Sequence, residues 1–198
     1  MNIICNNCVG ARLYEVTKQQ FPNPFMWMSI STDDFIKLIE NYDNIDLSNP
    51  SFELEYYGNN DYQTILVKLD YDIKLHYIHY IQDTTKQNPI KELNTNILYK
   101  DILKYAKAKW FNRLNRNKEK PTFIYSFNYA NHKTISYLTD LTKLLNSKPK
   151  YDLIILVHED IKLDRNIDHI KLINCDNSIM ELNGGALANE LKNIIFTE

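Results

Sequence analysis

Near its start the chain reads Asn2-Ile3-Ile4-Cys5-Asn6-Asn7-Cys8-Val9-Gly10-Ala11-Arg12-Leu13-Tyr14-Glu15-Val16, continuing to Gln20. Asn2 to Cys5 is a short apolar run with strand character. From Cys8 the period changes to that of a helix, with Val9, Leu13 and Val16 near one face. Asn6 or Asn7 stands where the helix needs an N-cap. Strand, tight turn and helix form the opening unit of an α/β domain, and they put Cys8 at or just before the first helical turn.

Outward from this unit, Pro22 and Pro24 stop the helix, and Phe25 to Ile30 predicts a second strand. Ser31-Thr32-Asp33-Asp34 caps a helix running to about Tyr42, with Phe35, Leu38 and Ile39 as its buried stripe. Phe52 to Tyr56 and Thr64 to Leu69 read as strands across a Gly58-Asn59-Asn60-Asp61 turn, and Asp72 to Ile81 as the next. A polar connection follows from Asp83 to about Leu98. Ile97 to Asn117 predicts a long helix with Ile102, Leu103, Ala106, Trp110 and Leu114 inside and a basic outer face. Thr122 to Phe127, Asp152 to Val157 and His169 to Asn174 read as strands. The middle one is continuously apolar, as in a strand covered on both faces. His132 to Leu145 and Met180 to Phe196 read as helices. The alternation predicts one α/β domain over residues 1–198, with a mixed, mostly parallel sheet flanked by helices and an antiparallel portion at residues 52–81.

The composition agrees. In 198 residues, 44% are hydrophobic, enough for a sizeable core, and no apolar run reaches the roughly 18 residues of a membrane span. The 23 Lys and Arg against 25 Asp and Glu argue against a nucleic-acid binder working through a strong basic field. Three cysteines, with no signal-peptide pattern ahead of them, point to a reducing cytoplasm.

Cys8 is the first candidate for chemistry, because the unpaired N–H groups and positive end of a helix lower a thiol pKa and can hold an oxyanion. His79 or His76 would be its base, Val9 and Gly10 would supply the oxyanion donors, and Asn7 would contact substrate. A small buried cysteine is the plain alternative. The pair Cys5 and Cys8 lacks the βα unit that precedes a redox motif. His76 and His79, three apart on a strand, point to opposite faces and cannot readily share a metal ion, so no metal is expected. Asn128, Asn131 and His132, and then His158 and Asp160 with Glu159, follow apolar strands and are candidate substrate contacts at the sheet edge, as is Asp176. Turn and capping roles explain them equally well. Asn183-Gly184-Gly185-Ala186 is no cofactor fingerprint.

The segments Ile3-Ile4-Cys5-Asn6-Asn7-Cys8, Pro24-Phe25, Asp33-Asp34-Phe35-Ile36-Lys37, Ile73-Lys74-Leu75-His76-Tyr77 and Lys109-Trp110 occur in the order of a bacterial family, domain of unknown function 1919, often labelled exopolysaccharide biosynthesis protein. The chain resembles that family over roughly residues 2–127. It departs at Val9-Gly10-Ala11, where the family usually has Trp-Gly-Gly, and at Asn128-Tyr129-Ala130-Asn131, where it has an acidic segment. The resemblance implies an α/β fold and a setting in capsule or lipopolysaccharide assembly. The expected function is an enzyme modifying a saccharide or its precursor by acyl transfer from an acyl donor or by acyl-ester hydrolysis. A sugar-nucleotide or phospho-donor transferase and a non-catalytic saccharide-binding protein are the alternatives.

Overall fold

The computed structural model describes residues 2–20, 22–57, 62–77, 96–114, 116, 119–127, 134–158 and 167–175. Strands β1 (Asn2–Cys5), β6 (Pro121–Ser126), β7 (Leu153–His158) and β8 (Ile170–Cys175) make a parallel sheet in the order β1-β6-β7-β8. Strands β2 (Met28–Ile30), β3 (Ser51–Tyr57), β4 (Tyr62–Leu69) and β5 (Ile73–Tyr77) make an antiparallel sheet in the order β2-β5-β4-β3. The helices are α1 (Val9–Val16), α2 (Thr32–Asn41), α3 (Asn96–Leu114) and α4 (Ile135–Asn146). The mixed α/β class holds, and the antiparallel portion is a separate four-stranded sheet that also recruits β2. Among the described residues no helix is long and apolar enough to cross a membrane.

One residue joins the two sheets. The Asn6 N–H donates to the Ile124 carbonyl (3.3 Å), continuing the parallel ladder, while its own carbonyl accepts from the Ile30 N–H (2.8 Å).

Alternation along the parallel strands divides the core. Ile3, Cys5, Ile124, Ile154 and Leu156 pack with Ala11, Leu13 and Tyr14 of α1. Ile4, Phe123, Tyr125, Leu153 and Ile155 face the opposite way, into a larger cluster with Phe35 and Leu38 of α2, Leu141 and Leu144 of α4, and the inner face of the antiparallel sheet. Edge-to-face rings tie that cluster together, Phe35 on Phe123 and Tyr125, and Trp110 on Phe25 and Phe52. Trp110, fully buried with its indole N–H donated to the Leu47 carbonyl (2.9 Å), fixes α3 to this core.

Several expected boundaries move for local reasons. Helix α1 ends at Val16 rather than Gln20 because Lys18 adopts φ 54°, with its N–H on the Glu15 carbonyl and the Gln19 N–H on the Tyr14 carbonyl, a Schellman closure. Phe25 lies in a turn rather than a strand. Buried Asn23 organises that turn, accepting from the Phe25 N–H (3.0 Å) and donating to Asn2 Oδ1 and the Ile3 carbonyl. On α3 the buried side includes Arg113, which donates to the Met26 carbonyl (3.4 Å), in place of Leu114, which is half-buried. The expected helix from Met180 to Phe196 and the turn at residues 58–61 lie outside the described residues.

Candidate functional site

Adjacent strands β1 and β6 feed helices on opposite faces of the sheet, since α1 packs on one side and α4 on the other. Such a reversal opens a crevice beyond the carboxyl ends of the two strands, the usual ligand position in an open α/β sheet. A pocket of about 410 Å³ lies there, lined among others by Asn6 and Asn7 after β1, Ser126 and Phe127 at the end of β6, and His76 of the antiparallel sheet.

The floor is held by asparagine side chains acting as backbone. Asn6 Oδ1 accepts from the Ser126 N–H (2.8 Å) and its amide donates to the Ser126 carbonyl (3.1 Å), which also accepts from the Asn7 amide (3.0 Å). These bonds pin the strand ends together where the ladder stops. The wall is made by two helix starts. Ser31 caps α2, accepting from the Asp34 N–H (3.2 Å) and donating to the Asp34 carboxylate (2.6 Å), and Thr134 caps α4, accepting from the Tyr137 N–H (3.3 Å). Between them the Thr32 and Tyr125 hydroxyls meet at 2.5 Å, both side chains buried. Burial pushes the Tyr125 phenol up to about 12 against the opposing effect of that hydrogen bond, so it serves as a neutral hydrogen-bonding group.

His76 is the imidazole of this pocket. Strand β5 alternates, burying Ile73, Leu75 and Tyr77 and turning Lys74 and His76 to the other face. Nδ1 of His76 lies 3.3 Å from Thr64 Oγ1 and 3.9 Å from Glu55 Oε2. A carboxylate on that side favours the tautomer protonated at Nδ1, which leaves the acceptor lone pair on Nε2. Burial pulls the imidazole pKa below its ordinary value, outweighing Glu55 and Asp34, which raise it, so the ring is a neutral base near pH 7. The other lining groups are Ser29, Ile30, Ser136, Tyr137 and the carboxylate of Asp140. No Lys or Arg occurs among the described lining residues.

Cys8 departs from expectation. It is half-buried just ahead of α1 and is not among the residues lining the pocket. Burial pushes its thiol up to about 11, with Arg12 pulling the other way, which is the opposite direction to the lowering expected at a helix start. The donors proposed for its oxyanion are engaged elsewhere. The Val9 N–H is capped by Asn7 Oδ1 (3.0 Å), and the Gly10 N–H acts on the buried Cys5 thiol, which donates to Asn7 Oδ1 (3.5 Å). Gly10 is required here for close approach, since a Cβ at this position would meet the Cys5 Cβ at 2.7 Å.

Of the other expected site residues, the backbone of His158 ends β7 opposite Cys175. His79, Asn128, Asn131, His132, Glu159, Asp160 and Asp176 lie outside the described residues. Sequence reading missed Ser29, Ser136 and Asp140 as lining groups and took Ser31 and Thr32 only as a helix start. A capping sequence gives no sign of which cavity its helix points into, and Asp140 sits inside a helix with no local motif. Among the described residues, no group of three His, Cys, Asp or Glu is placed to hold a metal ion.

Residues 1–91 match the family model of a domain of unknown function, DUF1919, which bears out the resemblance at the level of that family. This range contains β1, α1, α2 and the whole antiparallel sheet, and thus Asn6, Asn7, Thr32 and His76 of the pocket. No curated protein matches the chain significantly.

Proposed function

We propose that this chain, with its DUF1919 match over residues 1–91, binds a saccharide in the crevice above β1 and β6 and modifies it by acyl transfer to or from a sugar hydroxyl. The observation that carries the reading is the chemistry of the lining: hydroxyls of Ser29, Ser31 and Ser136, the carboxylate of Asp140 and rings of Phe127 and Tyr137, over a floor that the Asn6 and Asn7 amides and the Thr32–Tyr125 pair hold in place. Hydroxyl and amide groups exchange hydrogen bonds with sugar hydroxyls, and aromatic faces cover the apolar faces of a pyranose. His76 supplies the base. In the proposed step the sugar O–H attacks the carbonyl of an acyl thioester, His76 Nε2 takes the proton, the C–S bond breaks, and the departing thiolate recovers that proton. No cysteine nucleophile enters, in accord with a Cys8 thiol pushed up to about 11. The direction of transfer and the acyl group belong to the proposal, as does a setting in surface-polysaccharide synthesis.

A transferase using a phosphorylated donor is favoured by one feature, the two helix N-termini of α2 and α4 at the pocket. Asp33 and Asp34 in the first turn of α2 and the absence of a cation among the described lining residues weigh against it. The test is to screen the protein on an oligosaccharide array and then add an acyl thioester, following free-thiol release. Binding with thiol release supports the reading, and binding without release leaves a saccharide-binding protein. Saturable binding of a nucleotide sugar with no thiol release would replace it with the donor-transferase reading.

A further inference from the structure

The charge of this chain is unevenly placed. Residues 96–120 carry eight Lys and Arg against two acidic residues, Asp101 and Glu119, whereas the rest of the chain carries fifteen against twenty-three. The basic segment is α3 and the turn after it. Its inner side is committed to the fold through Ile102, Ala106, Trp110 and Arg113. The outer side presents Lys100, Lys104 and Phe111 (40% exposed) with the exposed Asp101 beside them, while Lys107 and Tyr105 (52% exposed) lie on its two flanks. Lys104, Ala108 and Phe111 follow at helical spacing, and all three are exposed. Lys109 Nζ lies 5.0 Å from the Tyr105 ring centre, and Lys107 Nζ 5.8 Å from that of Phe52. Among the described residues, no carboxylate pairs with Lys100, Lys104 or Lys107.

From this juxtaposition, an exposed aromatic ring beside lysines that meet no carboxylate among the described residues, on a rigidly anchored helix, we propose that the outer face of α3 docks this protein on an anionic lipid surface. Lys100 and Lys104, with Lys107 at the flank, meet lipid headgroup charge while Phe111 enters the interfacial layer, where aromatic rings are at home and lysine stems extend along apolar surface. A purely polyanionic partner would need the charge and leave the ring unexplained. The net −8 of the rest of the chain orients the molecule, turning α3 towards a negative surface and the remainder away. The inference is independent of the pocket and of the reaction proposed for it.

The test is sedimentation of the full chain with vesicles of phosphatidylcholine alone and with 30% phosphatidylglycerol, at ~50 and ~500 mM salt, where screening should weaken the charge contribution. The expected result is binding to the anionic vesicles only, reduced by salt. Lys100→Ala, Lys104→Ala and Lys107→Ala together should lower partitioning about 100-fold, at about fivefold per lysine. Phe111→Ser should lower it while leaving affinity for soluble heparin unchanged, and circular dichroism should confirm that each variant is folded. No binding to either vesicle overturns the proposal. Binding that loses nothing in Phe111→Ser, with equal affinity for heparin, overturns it in favour of a soluble polyanion.

Discussion

Gly10 and Cys5 show how the geometry of the site rests on single atoms. The contact that Gly10 avoids is with the Cys5 Cβ rather than its sulfur, so Gly10→Ala should destabilise the protein by about 1–3 kcal/mol in urea unfolding. Cys5→Ala should not rescue it, because that Cβ remains, whereas Cys5→Gly should. Cys8 gives a second test at this scale. Alkylation followed by peptide mass spectrometry should show Cys8 reacting slowly at pH 7–8 and faster only towards pH 11, and a midpoint below 9 would contradict its assigned environment. For His76, burial favours the neutral ring in the folded state, so the unfolded chain holds more protons on acidification. Its contribution to stability is full above about pH 6.5, the unfolded value, and falls as pH drops towards the lower folded value. Activity should follow the same limb. Glu55→Gln removes a group that raises this pKa, so the acid limb of kcat/KM should move to lower pH.

At the scale of elements, each strand-to-helix turn carries its own device, and the devices differ in how clearly the sequence announces them. The apolar runs of β1, β6 and β7 and the period of α1, α2 and α4 were readable because burial on defined faces imposes them. Ser31-Thr32-Asp33-Asp34 was readable as a cap because the hydrogen bonds it makes are local. Lys18 was not readable, since a left-handed C′ position normally advertises itself with glycine. Lys18→Gly should therefore relieve strain and raise stability by up to about 1 kcal/mol in thermal unfolding, with α1 unchanged. The Asn6 bridge was equally hidden, because its partner Ser126 lies 120 residues away and no local pattern encodes that pairing. Asn6→Ala leaves the buried Ser126 N–H without its acceptor and should cost about 1–3 kcal/mol, loosening the pocket floor as well.

At the scale of the whole molecule, the site arises from topology. Alternation predicted strands and helices, yet it could not say that β1 lies beside β6, that their helices leave on opposite faces, or that the antiparallel strands form a sheet of their own. Those facts are what bring His76, Thr32 and Asp140 to one crevice while Cys8 stays on the α1 side. The thiol is conspicuous in the sequence because a helix start is a local feature, whereas the desolvation that raises its pKa comes from the assembled fold. The placement of functional groups thus follows the sheet order more closely than any motif along the chain. The most direct measurement is the rate of acyl transfer from a thioester to a bound saccharide by two variants of the full chain. His76→Gln is predicted to lose roughly 10²- to 10⁴-fold, the usual worth of a positioned base, while Cys8→Ala keeps the parent rate. A Cys8→Ala variant that is inactive though folded, beside a His76→Gln variant that is unimpaired, would contradict the account.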